Sequence, residues 1–448
     1  MRLIYKLIYW NYHATSGVWY WARRRFTLTG LCVASGFALA GVTGLDIENT
    51  VIYQSFALLL ALLLLAFTGS FFFRAKFSVT RSLPRFGTAG QPLRYRIIVK
   101  NLTAKSQVGL TLLEELADPR PAFDDWLAFQ LAESKRVRPF RVSQRRRKNP
   151  FRLANVKNAE VPPLPAHDEV ETNVELLPLR RGILHLAGVS LAQPDPLGLC
   201  RALQNISAPQ TVLILPKRYP LPPIALPGAL RYQEGGVALA ANVGRSEEFV
   251  ALRDYRHGDP LRNIHWRSWA KTGKPIVKEF EDEFFVRHAL VLDTFDDEPN
   301  SEILEEAVSV AASFACTVLT QESLLDLLFV GNQSYCFTVG RGLAHADQML
   351  EILASVKNCA DKKFEMLEKL VLNHVSLVSG CICVLQRWDE PRRKFVEKLK
   401  TLGVPLLVLI IAPPGGGFSG GGGELMDPPG TIHVLEIGKI AEELAKLK

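Results

Sequence analysis

Two uncharged apolar runs near the start of the chain constrain it more than anything that follows. Phe26 to Leu45 (FTLTGLCVASGFALAGVTGL) carries no charge before Asp46, and Val51 to Phe73 has FALLLALLLLAF at its centre. A helix that is apolar all round suits only lipid or a very large protein interior. At ~1.5 Å per residue, each run is long enough for a hydrocarbon core of ~30 Å. The connection between them, Asp46 to Thr50, is short and acidic. Arg23, Arg24 and Arg25 precede the first run, and Arg74, Lys76 and Arg81 follow the second. Cations on both outer flanks predict a membrane hairpin with both termini on the cytoplasmic side. Trp19, Tyr20 and Trp21 suit an interfacial aromatic belt or the packing of a short N-terminal helix. A cleaved signal peptide fits poorly, because the arginine cluster begins only at Arg23 and the cysteine usage is not that of a secreted chain.

With 448 residues the chain is too long for one ordinary core, and a hydrophobic share of 48% sits at the high edge for a soluble protein. The formal net charge of +8 gathers beside the apolar runs and in Lys135 to Lys148 (KRVRPFRVSQRRRK). Such local excess does not make a nucleic-acid-sized face, so nucleic acid is not expected as a partner. The seven cysteines lie mostly inside apolar runs and read as reduced core residues. Cys381 and Cys383, two apart in a strand-like run, should share one strand face rather than hold zinc.

Residues 76–222 follow a period of two. Leu93 to Asn101 and Val108 to Leu116 alternate like half-buried strands, and Glu169 to Gln193 and Thr211 to Pro222 add further short strands broken by Gly and Pro. A β-sandwich buries such strands most simply. Inside it, the basic stretch 134–162 is expected to be an exposed loop or hairpin insertion, within reach of anionic lipid headgroups. Arg180-Arg181-Gly182 and Asp195-Pro196-Leu197-Gly198 read as turns.

Residues 286–448 alternate strand and helix. Apolar runs at His288 to Asp293, Leu324 to Val330, Cys381 to Trp388, Val404 to Ala412 and Thr431 to Ile437 are separated by helical spacing, with Ser301 a plausible helix cap. Strands apolar throughout and interleaved with helices predict a mainly parallel sheet covered on both faces. Ligands of such folds bind at the carboxyl ends of strands, where Asp293 falls. The run Gly415 to Gly423 lacks the Gly-Lys-Ser/Thr of a phosphate loop and reads as a flexible loop.

Between these units, 223–285 holds the densest set of charged, aromatic and turn-forming residues, EEFVALRDYRHGDPLRNIHWRSWAKTGKPIVKEFEDEF at Glu247 to Phe284. Arg253, Arg262 and Arg267 are planar donors with Glu247, Glu248, Asp254 and Asp259 nearby in sequence. Gly258-Asp259-Pro260 should turn the chain, Trp266 and Trp269 are apolar anchors, and IVKEFEDEFF should be a strand leading into the α/β sheet. An ion-paired clasp fixing one domain against the other is the expected role, with a docking surface as its functional counterpart. His265 as a general base oriented by Asp259 or Glu248 would need a nucleophile or water-activating metal that the sequence does not place beside it.

The spacing of Glu248, Phe249, Leu252, Arg253, Tyr255, Gly258, Asp259, Arg262, Ile264, His265, Trp266, Lys278 and Glu279 resembles the signature of the domain of unknown function 58 family. The Arg180 and Asp195 turns are similar to its sandwich region. The resemblance implies a bacterial inner-membrane protein with two spans, a β-rich domain and a von Willebrand A-like, Rossmann-type α/β domain on the cytoplasmic side. It further implies association with a MoxR-type AAA+ ATPase and, in many members, company with a transglutaminase-like membrane protein. No enzymatic activity is established for the family, and a scaffold or adaptor role is expected. Where von Willebrand A domains carry Asp-x-Ser-x-Ser for a divalent cation, this chain reads Asp293-Thr294-Phe295-Asp296-Asp297, losing one oxygen ligand and exchanging another. Magnesium at Asp293, Asp297 and Asp389 therefore belongs to the alternative reading, a metal-dependent enzyme or ligand-binding protein at the strand ends. No cofactor is otherwise expected.

Overall fold

The computed structural model describes residues 2–43, 50–70, 73, 75–118, 120–136, 151–222, 249–257, 259, 261–280, 287–296, 301–320, 324–339, 343–414 and 432–447. The chain divides into two compact units, Met1–Lys217 and Arg218–Asp297 with Ser301–Lys448.

The first unit opens with three helices, α1 (Arg2–Arg25), α2 (Leu28–Thr43) and α3 (Thr50–Ser70). Within α3, Val51–Ser70 is 20 residues of mean hydropathy 2.2, and it is the one helix among the described residues long and apolar enough to cross a membrane. Within the first expected span the described helix, Leu28–Thr43, has 16 residues, reaching ~24 Å at ~1.5 Å per residue; residues 44–49 lie outside the described residues. α2 packs along α3, with Phe37 and Phe56 stacked at 4.7 Å between ring centroids and Gly36 and Gly41 facing Leu59 and Phe56. Small residues let two helices approach this closely.

The strands that follow are β1 (Phe77–Ser82), β2 (Phe86–Thr88), β3 (Leu93–Asn101), β4 (Thr111–Leu116), β5 (Ala154–Val156), β6 (Ala159–Glu160), β7 (Glu169–Pro178), β8 (Gly182–Pro194) and β9 (Arg201–Leu215). They form a four-stranded sheet ordered β1-β3-β7-β5 and a five-stranded sheet ordered β2-β9-β8-β4-β6. Alternation along β3 buries Leu93, Tyr95, Ile97 and Val99. These residues share one core with Leu112, Leu184, Leu191, Val212 and Ile214 from the other sheet, which makes the pair a sandwich.

Two local features differ from the sequence reading. Helix α4 (Phe123–Arg136) runs into the start of the basic stretch, and Trp126 on it is buried. The far end of 134–162 supplies the edge strands β5 and β6, paired with β7 and β4. Residues 137–150 lie outside the described residues.

A buried ion pair crosses the sandwich: the Arg81 guanidinium on β1 meets Glu114 on β4, both side chains with no exposed surface. Tyr95 donates to the other carboxylate oxygen of Glu114 at 2.8 Å. Arg81 also donates to the Ala208 carbonyl at 2.8 Å.

The second unit contains β10 (Phe249–Asp254), α5 (Trp266–Thr272), β11 (Ile276–Phe280), β12 (Arg287–Leu292), α6 (Glu302–Thr320), β13 (Leu324–Val330), β14 (Ser334–Val339), α7 (Leu343–Ser355), α8 (Glu365–Leu372), β15 (Gly380–Leu385), α9 (Glu390–Thr401), β16 (Leu406–Ala412), β17 (Ile432–Glu436) and α10 (Ile440–Leu444). Its large sheet runs β14-β13-β12-β15-β16-β17. All neighbours are parallel except the β13–β14 edge pair. β13 and β15 are buried along their whole length, as helices on both faces require. α8 and α9 cover one face through Phe364, Leu367, Phe395 and Leu399, and α6 packs on β12, β13, β15 and β16. Cys381 and Cys383 share a face of β15 as expected, both buried, with sulfurs 3.6 Å apart.

Strand order reverses between β12 and β15. β12 leads to β13 on one side, and β15 leads to β16 and β17 on the other. In open α/β sheets the crevice outside the carboxyl ends at this reversal is where ligands sit.

Candidate functional site

The signature residues build a small module of their own. β10 pairs antiparallel with β11, Leu252 opposite Lys278, Arg253 opposite Val277 and Asp254 opposite Ile276. The two strands form a separate two-stranded sheet. β11 is the strand that its sequence pattern predicts, and its ladder partner is the preceding strand β10; residues 281–285 of the predicted run lie outside the described residues. The chain between the two strands is held by short-range bonds. Arg253 grips Asp259 through two parallel contacts, Nη1 to Oδ2 at 2.7 Å and Nη2 to Oδ1 at 2.8 Å. The Arg256 amide donates to the same Oδ2 at 2.8 Å. The Arg253 hydrogen bonds, then that amide, hold the Asp259 carboxyl down at a pKa of about 2.

After a single 3₁₀ turn at Leu261–Asn263, Ile264 is buried and bridges to Val277. The His265 amide donates to the Ile276 carbonyl at 2.8 Å, and its Nδ1 lies 2.6 Å from Ser268 Oγ. α5 then runs to Gly273, whose φ of 69° closes the helix in the left-handed region. Trp266 and Trp269, one turn apart, stack at 5.2 Å between centroids. Trp266 keeps 63% of its surface exposed and Leu261 68%.

Of the residues singled out from the sequence, Arg253 and Asp259 are paired, Tyr255 closes the loop through its amide to the Pro275 carbonyl at 3.0 Å, and His265 and Trp266 start α5. Arg262 lies in the 3₁₀ turn. Glu248, Gly258 and Asp297 lie outside the described residues. The Arg253–Asp259 pair closes a loop within the signature itself, where a link between domains was expected. The partner of the His265 ring is Ser268; Asp259 and Glu248 belong only to the general-base reading, which the sequence does not favour.

The second candidate centre stands at the strand reversal. Asp293 follows β12, and its amide continues the ladder to the Val384 carbonyl at 2.9 Å. Its Oδ1 accepts from the Phe295 amide at 3.0 Å and its Oδ2 from the Gln386 amide at 3.1 Å. Arg392 on α9 then docks on both oxygens, Nε to Oδ2 at 2.8 Å and Nη2 to Oδ1 at 3.2 Å. The same guanidinium donates to Asp389 at 2.5 Å and to the Phe295 carbonyl at 3.2 Å. It lies 4.7 Å from the Phe364 ring centre. Side-chain exposure is 5% for Arg392 and 0% for Asp293.

Asp389 is spoken for twice, because it also caps α9 by accepting from the Arg392 amide. Among the described residues, those around Asp293 thus do not fit magnesium. A hard cation needs open oxygen ligands at ~2.0–2.1 Å, whereas each Asp293 oxygen accepts one amide and one guanidinium N–H.

Sequence reasoning found Asp293 and missed Arg392 and Gln386. Asp389-Glu390-Pro391 could be read as a helix start, but Arg392 then looks like any basic residue of a surface helix.

Comparison with known proteins places the chain near uncharacterised ones. Residues 251–404 match the family model described as "Protein of unknown function DUF58". The "Uncharacterized protein YeaD" of Bacillus subtilis (strain 168) is 28% identical over 184 residues, 40% of this chain and 44% of the relative. The aligned segment therefore spans less than half of that relative's length. Among solved structures, the AggA fimbrial subunit of Escherichia coli covers 32% of this chain and 96% of its own at 9% identity, with a TM-score of 0.16. A cohesin module from a Clostridium perfringens family 33 glycoside hydrolase covers 32% and 98% at 14% identity, TM-score 0.16. The family match over 251–404 takes in the signature module from residue 251 on and the Asp293 centre, and it supports a place for this segment in the DUF58 family.

Proposed function

We propose that the chain is a membrane-anchored adaptor of the DUF58 family. Its β-sandwich and von Willebrand A-like domain face the cytoplasm and present the signature module to a MoxR-type AAA+ ATPase. The single observation that carries this reading is the exposed Trp266 on a module whose backbone is pinned by the Arg253–Asp259 pair. A large aromatic held outward on a rigid frame is the kind of anchor that concentrates binding energy at an interface. Support for the von Willebrand A-like assignment is the six-stranded order with one antiparallel edge strand. Support for the anchor is α3, with α2 as its partner in an inner-membrane hairpin and the flanking arginines favouring cytoplasmic termini. A transglutaminase-like membrane protein is a further candidate for the same assembly. The Asp293 centre, closed by Arg392, suits a structural role in this adaptor.

The test is retention of a purified MoxR-type ATPase by the full chain in detergent. Retention by the native chain and its loss in Trp266→Ala with an unchanged melting temperature is the expected result. No retention by the native chain overturns the proposal.

A further inference from the structure

A cavity of about 780 Å³ lies within the first unit, lined by α1, β4, β5, β8 and the start of β9. Its wall carries both charge and aromatic surface, and the charges do not cancel. Glu114 faces Arg81 and Tyr95. Glu115 is taken by Arg24, which also reaches Ser190. Asp118 is taken by Arg120. Three further arginines on the wall, Arg23, Arg152 and Arg201, have no carboxylate partner among the described residues. Every acid of the wall is thus already neutralised, and the surplus is positive.

The rest of the wall includes Trp19 and Tyr20 of α1, rings with an apolar body and a polar edge. Arg23 and Arg24 close α1, and the apolar helix α2 begins at Leu28. Three planar, permanently charged forks facing one cavity match the oxygens of a phosphate ester, and aromatic walls beside them suit the glycerol and upper acyl part of a lipid. We propose that this cavity binds the phosphate of an anionic phospholipid headgroup through Arg23, Arg152 and Arg201. The source as a membrane lipid rests on the anchor reading above; recognition of the phosphate itself does not.

The test uses the full chain in a non-ionic detergent and calorimetric titration with three soluble probes: dihexanoyl phosphatidylglycerol, dihexanoyl phosphatidylcholine and inorganic phosphate. The phosphatidylglycerol probe should bind at one site, at least about tenfold more tightly than the other two, as charged hydrogen bonds imply. Arg152→Gln, at an exposed position that should leave the fold intact, and the Arg23→Gln/Arg152→Gln/Arg201→Gln variant should weaken it stepwise, while Arg152→Lys should restore part of the loss. Equal binding of phosphatidylglycerol and phosphatidylcholine, or unchanged binding in the triple variant at an unchanged melting temperature, overturns the site. Inorganic phosphate binding as tightly as phosphatidylglycerol overturns the lipid and assigns the site to free phosphate. Alkaline extraction of native membranes tests the anchor separately: release of the chain would overturn the anchor and leave the titration result standing.

Discussion

Replacing Arg392 by alanine would strand the fully buried Asp293 carboxylate without its countercharge. Breaking a buried pair in this way costs about 3–5 kcal/mol, so the variant should unfold at markedly lower denaturant than the native chain. Arg392→Lys keeps the charge but not the fork that spans both Asp293 oxygens, and should fall between the two; equal stability of all three in urea titration would contradict the pairing. A pH dependence attaches to Asp259. Its pKa in the folded chain, about 2, lies below the ordinary value of ~3.9, so the pair stabilises the module fully above pH ~4 and that contribution is lost as pH falls through about 2. Hydrogen exchange at the Arg256 amide should show this loss in the native chain and not in Asp259→Asn. At this scale the sequence was partly legible. The Arg253–Asp259 pairing lay within six residues, close enough to be read, whereas Arg392 meets Asp293 across nearly one hundred positions, and no local pattern records so distant a partner.

Elements were read best where a period was long and clean. The strands of the large sheet are continuous apolar runs, and those of the sandwich alternate, so both were visible in sequence. What alternation does not record is pairing. The alternation of β11 says that it is a strand, but its register partner β10 sits behind a loop whose closure depends on the Asp259 carboxylate and the Ile264 bridge to Val277. The short edge strands β5 and β6 were hidden in a basic stretch because two or three residues carry no measurable period. Helix α2 offers a test of packing. A Cβ added to Gly30 would stand 1.9 Å from the Leu199 carbonyl oxygen, in a turn tied by the Cys200 amide to Asp195 at 2.6 Å. Gly30→Ala should therefore force the start of α2 off that turn at a cost of about 1–3 kcal/mol, seen as a lower melting temperature in detergent and faster proteolysis after Phe26. An unchanged melting temperature would mean that α2 does not rest there.

For the whole molecule, the order of parts was legible because composition changes sharply at each boundary: apolar helices, alternating strands, a charged signature, then buried parallel strands. What each part meets outside the chain is not written in composition, and the adaptor reading depends on it. The exposed Trp266, the internal Arg253–Asp259 tie and the Arg392-filled strand ends support the proposed reading of a module that docks without a metal. The most direct measurement places the full chain in nanodiscs with a purified MoxR-type ATPase and follows binding with and without a chelator. The account predicts binding that the chelator leaves unchanged and that Trp266→Ala weakens at least about tenfold, in line with an aromatic anchor. Binding abolished by the chelator, or indifferent to Trp266, would contradict it.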